Sequence, residues 1–109
     1  MAISYKVLGQ IIPSAVNTDI DLYTVPTGKS AVCSTLVVCN RASGASYRVA
    51  IRPAGAVIEP KNYIIYDSSL SANNTSFLTI GLTLAESDVV TVSSSVTTVS
   101  FSLFGSEIA

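Results

Sequence analysis

The sequence predicts an all-β fold, an antiparallel β-sandwich of about eight short strands with a jelly-roll-like arrangement. Val, Ile, Leu, Ser and Thr, which suit strands, dominate the chain. Apolar and polar residues alternate in short segments separated by turn residues, and no window keeps the i, i+3, i+4, i+7 spacing of an amphipathic helix. With 109 residues, the chain has the length of one hydrophobic core, so we expect a single domain over residues 1–109.

Four strands are predicted in the first half of the chain. They cover residues 5–12, 20–25, 31–40 and a segment that ends at Pro53, in which Tyr47, Val49 and Ile51 alternate with Arg48, Ala50 and Arg52. Turns separate them at residues 13–19, 26–29 and 41–44. In the second turn Pro26 presets φ and Gly28 accepts a positive φ.

The second half begins with a long surface connection over residues 54–61, which contains Gly55 and Pro60. Strands follow at residues 63–67, 77–82, 89–93 and 96–104, with a polar turn region at 68–76. Eight short strands at this spacing are typical of a jelly roll or another antiparallel sandwich. The alternation assigns these core residues: Leu36, Val49, Ile51, Phe77, Leu78, Val90, Phe101 and Leu103.

The strand at residues 31–40 is apolar or small on both faces. One strand face of a single sandwich normally meets water, so cover on the second face implies an oligomer contact or an overlying loop. Charged residues make up only 12% of the chain, about half the usual ~25%. We therefore expect a homo-oligomer, and assign its interface to the face that carries Cys33, Thr35, Val37 and Cys39.

The two cysteines are predicted to be free thiols. Cys33 and Cys39 lie six residues apart, about 20 Å along an extended strand, which is beyond disulfide geometry. A metal site needs closer spacing and partners such as histidine, and the chain has no histidine. Small hydrophobic packing is the commoner fate of such cysteines.

The composition argues against enzymatic chemistry. Without histidine the chain lacks the side chain that titrates near neutral pH, so a Ser-His-Asp arrangement is excluded. Three lysines give little support to a Ser-Lys dyad, and turn capping explains Glu86 and Asp88 better than paired catalytic acids do. We expect no enzyme activity and no cofactor.

The net charge and hydropathy of the chain also narrow the kinds of partner that we expect it to bind. A net charge of −1 argues against nucleic acid, which needs basic residues along a face. No apolar run approaches the ~20 residues of a membrane helix, and no export signal is visible at the N-terminus. The residues expected to contact a partner are Arg41, Arg48, Arg52, Tyr63 and Tyr66. Tyrosines of this kind leave a carbohydrate-binding surface as an alternative.

Several segments together resemble small virion proteins of tailed bacteriophages. They are LYTVPTG at residues 22–28, STLVVCNR at 34–41, YRVAIRP at 47–53, the aromatic strand at 63–67 and VSFSLFGSE at 99–107. The resemblance covers nearly all of the chain from Leu22 onward. It is a pattern of strands and turns and includes no catalytic signature.

The resemblance implies a structural part of a phage particle, made in the host cytoplasm and located in the virion. A tail, baseplate or fibre-attachment component is favoured, and a capsid cement subunit that binds between major capsid proteins is the alternative. A trimer is the favoured state, because spikes, fibres and cement knobs are commonly three-fold. Residues 1–12 are a candidate exchangeable arm, with residues 13–19 as the hinge.

Overall fold

A computed structural model describes residues 2–109 and shows two four-stranded antiparallel sheets packed face to face. The all-β prediction is confirmed. The eight strands are β1 (Ile3–Ile11), β2 (Ile20–Thr24), β3 (Ser30–Asn40), β4 (Ala45–Arg52), β5 (Tyr63–Leu70), β6 (Thr75–Leu84), β7 (Val89–Ser94) and β8 (Val99–Ile108). Two short 3₁₀ turns, Pro53–Gly55 and Pro60–Asn62, lie in the connection between β4 and β5.

The strand order is that of a jelly roll. Sheet A has the order β1-β8-β3-β6 and sheet B the order β2-β7-β4-β5. First and last strands pair, as do second and seventh, third and sixth, and fourth and fifth. The chain is therefore one long antiparallel ribbon wound into two sheets, which is the double Greek-key arrangement of jelly rolls.

The core lies between the sheets and takes one face of each strand. Leu36, Val49, Val90, Phe101 and Leu103 are fully buried, as the alternation predicts. Half-buried Ile51 and Leu78 pack against this cluster. Tyr47 contributes an edge-to-face contact with Phe101, at 6.1 Å between ring centroids. Burial of these apolar side chains is the main stabilising contribution to the fold.

Two positions assigned by simple alternation are wrong. A β-bulge shifts the register of β3 against both neighbours between Cys33 and Thr35, so Cys33 points into the core, fully buried, while Thr35, Val37 and Cys39 point outward. Side chains along a strand point alternately to its two faces. One extra residue in β3 therefore moves the side chains that follow it to the opposite face. Phe77, predicted to be in the core, is 74% exposed. It lies opposite outward-facing Val37, on the outer face of sheet A.

Buried Asn40 joins the loops at one end of the sandwich. Its side-chain nitrogen donates to the carbonyl oxygens of Ser43, at 2.7 Å, and Ser71, at 3.3 Å. Its side-chain oxygen accepts from the Ala42 N–H and the Thr98 hydroxyl. The buried amide is fully hydrogen-bonded, so it fixes three loops to each other without an unsatisfied polar group.

Candidate assembly surface

The outer face of sheet A carries no charged side chain among the described residues. Its outward-facing residues form five rungs across the sheet: Ile3, Ile108 and Ser30; Tyr5, Ser106, Val32 and Thr83; Val7, Phe104, Thr35 and Thr79; Gln10, Ser102, Val37 and Phe77; and Ser100, Cys39 and Thr75. We call this set the uncharged face. The two charged residues of the sheet, Lys6 and Glu107, lie on rungs that face inward.

Large apolar side chains of the uncharged face lie open to solvent. Tyr5 is 83% exposed, Phe77 74% and Val32 38%. Tyr5, Val32 and Phe104 also line a shallow depression of about 410 Å³, to which Lys6, paired with Glu107, contributes as well. Soluble monomers rarely expose contiguous apolar surface of this kind unless it serves an interaction.

Three of the four predicted interface residues lie on this face, namely Thr35, Val37 and Cys39. All three are half-buried in the single chain. Cys33 does not belong to the surface, because the bulge turns it inward.

Part of the outer face of sheet B is covered by the chain itself. Arg52 donates from Nε to the Ala56 carbonyl oxygen at 2.8 Å and from Nη2 to the Gly55 carbonyl oxygen at 3.0 Å. Its Nη1 donates to Asp21 Oδ1 at 2.9 Å, and the buried Thr91 hydroxyl donates to the same carboxylate oxygen at 3.0 Å. The connection at residues 53–62 is thus bound to the sheet that it covers.

Three of the predicted partner-contact residues come together on sheet B. Arg48 forms a bidentate ion pair with Asp67, at 2.6 and 3.1 Å, and its guanidinium lies 4.0 Å from the ring centroid of Tyr66. Tyr63 meets Tyr66 edge to face at 5.0 Å. Together with Pro60, the two tyrosines line a depression of about 400 Å³. Arg48 lowers the pKa of the Asp67 carboxyl through this hydrogen-bonded pair.

The other two predicted contact residues lie apart from this cluster. Arg41 lies in the turn between β3 and β4, where its backbone N–H donates to Thr98. Arg52 binds the connection over sheet B, as described above. Arg41 and Arg52 therefore do not join the cluster of Arg48, Tyr63 and Tyr66.

A buried carboxylate that the sequence analysis missed lies on the inner face of sheet A, near the end of the interior strand β8. Glu107 is 3% exposed; its Oε1 contacts Lys6 Nζ at 2.6 Å and Lys29 Nζ at 3.6 Å. Its Oε2 accepts from the Tyr23 hydroxyl at 2.6 Å. Hydrogen bonds from Lys6 and Tyr23 lower the pKa of Glu107, whereas burial and this carboxylate raise the pKa of Tyr23. A lone acid in the apolar strand FSLFGSEI was the available sequence signal.

These groups form structural contacts and no recognisable catalytic arrangement. Within residues 2–109 no three His, Cys, Asp or Glu side chains cluster as metal ligands. Burial raises the pKa of the Cys33 thiol to about 11, so it stays protonated and unreactive at neutral pH. Among the described residues, no helix is long and apolar enough to cross a membrane.

Comparisons with protein-family models, with curated proteins and with solved structures found no match to this chain.

Proposed function

We propose that this protein is a non-enzymatic structural subunit of a tailed-phage virion that assembles with copies of itself, as a trimer, and with other virion proteins. The observation that carries the proposal is the uncharged face, a sheet surface with exposed Tyr5, Val32 and Phe77 and without a single charge. Depletion of charge and enrichment of aromatic residues distinguish the centre of protein interfaces from other surface.

The setting in a phage particle is supported by the resemblance of segments from Leu22 to Glu107 to small phage virion proteins. The fold agrees with it, since jelly rolls form many viral capsid domains as well as lectin domains. A fold alone does not assign a function, so the proposal depends on the surface and the segments together. A tail, baseplate or fibre-attachment position is our first choice, and capsid cement is the alternative.

Immunogold labelling of purified phage particles that encode the chain tests this proposal directly. Antibody raised against the folded protein should label the tail or its fibres, and mass spectrometry of the same particles should detect the protein. Labelling of the capsid shell would instead select the cement alternative. Particles that contain no copy of the protein would contradict a virion role.

A carbohydrate-binding function is the second candidate, and the Tyr63–Tyr66 cluster favours it. Tyr66 is 60% exposed although Arg48 stacks on its ring, so aromatic surface is left for the apolar face of a sugar. The Arg48–Asp67 pair holds a charged donor and acceptor beside that ring.

Glycan-array binding separates this candidate from the structural one. Saturable binding that Tyr66→Ala abolishes, and that the exposed but distant Tyr5→Ala leaves unchanged, would support carbohydrate recognition at this cluster. An array without any saturable signal would exclude it.

A further inference from the structure

We propose that β6 is an open sheet edge that pairs, antiparallel, with β6 of a second copy, and that Phe77 lies at the two-fold axis of this contact. The inference concerns the backbone edge of β6, whose Phe77 also belongs to the uncharged face, and it does not depend on the position of the protein in a particle.

Four strands form the edges of the two sheets, and β6 differs from the other three. Lys6 interrupts β1, Asp21 interrupts β2 and Asp67 interrupts β5, whereas β6, with the sequence TSFLTIGLTL, contains neither a charge nor a proline. Edge strands expose unpaired N–H and C=O groups, and charged side chains are a common means of preventing further strands from adding to them. The three other edges are protected in this way and β6 is not.

The two sides of the sandwich also differ. On one side the edges β1 and β2 approach closely, because Gly9 packs against the backbone carbonyl of Leu22, where any side chain at position 9 would collide. On the other side β6 forms ladder hydrogen bonds with β3, and no other described element bonds to its backbone. Only an extended strand supplies donors and acceptors at the spacing of such an edge.

A second β6 is the occupant that fits the sequence of this edge. Its register with β3 is regular over Thr75–Cys39 to Thr79–Thr35 and shifts beyond Thr79, next to Gly81 with its positive φ. This regular segment is symmetric about Phe77. Antiparallel pairing centred there places Thr75 opposite Thr79 of the second copy, and Phe77 opposite its own counterpart.

The pairing accounts for the exposure of Phe77, which is 74% open in the single chain. Two aromatic rings directly opposite each other on an antiparallel pair bury apolar area and stabilise the contact. The absence of charge from β6 also avoids the like-charge repulsion that a self-pairing strand would otherwise suffer. The contact is isologous, because the same strand of each copy forms it. It therefore joins copies in pairs, whatever the symmetry of the oligomer that forms through the uncharged face.

Site-directed cross-linking tests the register. A Thr75→Cys/Thr79→Cys variant, made in a Cys39→Ser background, is treated with a bismaleimide too short to span the about 13 Å between these positions in one chain. It should give a dimer-sized product, whereas the Thr75→Cys and Thr79→Cys single variants in the same background should give little. Equal cross-linking in the single variants, or none in the double variant, would overturn the β6 pairing.

Light scattering provides the second readout, since Phe77 lies outside the core and its replacement should leave the fold intact. Phe77→Lys should lower the solution mass twofold, and Ser69→Lys, at an exposed position of the other sheet, should not. Unchanged mass in Phe77→Lys would contradict the inference. Particle labelling reports on the virion proposal separately, so that the two can fail independently.

Discussion

The outer faces of the two sheets differ in how far the chain itself covers them and in how much charge they carry. Sheet B covers part of its outer face with its own connection, held by Arg52, and places Asp21 and the Arg48–Asp67 pair where water reaches them. Sheet A exposes Tyr5, Val32 and Phe77, and none of its outward-facing described residues is charged.

On our proposal, the two faces have different surroundings in the working protein. On the outer face of sheet B, Ala50 and Thr91 are already buried within the single chain. The uncharged face resembles the centre of an interface, which is apolar, aromatic and depleted of charge. We therefore expect substitutions on the two faces to separate effects on stability from effects on assembly.

The largest effect should come from the core that both sheets share. Phe101→Ala removes a fully buried ring and should lower the free energy of unfolding by about 3–5 kcal/mol. Phe77→Ala, on the outer face, should change the stability of the separated subunit by less than about 0.5 kcal/mol. Urea unfolding of both variants at low protein concentration measures this contrast, and similar losses would contradict the placement of Phe77.

The buried Glu107 should give the next largest effect. Glu107→Gln removes the charge that Lys6 and Lys29 contact, at a cost of about 1.5–3 kcal/mol. Because the folded protein lowers the pKa of Glu107 below its ordinary 4.5, the carboxylate contributes stability above that pH and loses it as the pH falls through the folded value.

Unfolding curves between pH 2 and 7 provide the check on Glu107. The wild-type protein should lose stability relative to Glu107→Gln as the pH falls below about 4.5. A constant difference between the two proteins over this range would show that the carboxylate is not stabilised by its neighbours.

Replacement of Arg52 should loosen the connection that lies over sheet B, with a smaller loss of stability than replacement of Glu107. Arg52→Ala removes the hydrogen bonds to Gly55, Ala56 and Asp21, and because the ion pair is partly solvated we expect about 1 kcal/mol. Hydrogen exchange should become faster in residues 53–62 and stay unchanged in β3. Arg41→Ala, in a turn at the other end, is the matched control.

The smallest expected effect is a difference in reactivity between the two cysteine thiols. Cys33 is buried with a raised pKa and Cys39 is partly exposed on the uncharged face, so a maleimide should modify Cys39 in the folded, dissociated subunit and Cys33 only after unfolding. Protection of Cys39 in the wild-type assembly, lost when the subunits dissociate, would place this residue at the interface.

Local patterns were enough to predict the fold class and the number of strands. Alternation located the buried Val49, Phe101 and Leu103, and Pro and Gly residues located the turns. The strand bounds differ at several ends; β5 runs to Leu70 and β8 begins at Val99 and runs to Ile108. Those ends are set by pairing with distant strands, which a local pattern does not contain.

The errors at Cys33 and Phe77 have different origins. A bulge depends on register between strands far apart in sequence, so alternation alone assigned Cys33 to the outer face. Phe77 and Leu78 were both assigned to the core, although neighbouring residues of a strand point to opposite faces, and Leu78 is the one that packs inward. The same reasoning missed Glu107, whose partners Lys6, Tyr23 and Lys29 come from three other parts of the chain.

Light scattering coupled to size exclusion, over a concentration series, tests the assembly role of the uncharged face most directly. The proteins are wild type, Val32→Lys in the middle of that face, and Ser69→Lys at an exposed position of sheet B. We expect wild type and Ser69→Lys to form the same oligomer, and Val32→Lys to lose it while it remains folded. A wild-type monomer at every concentration, or an unchanged oligomer in Val32→Lys, would contradict the account.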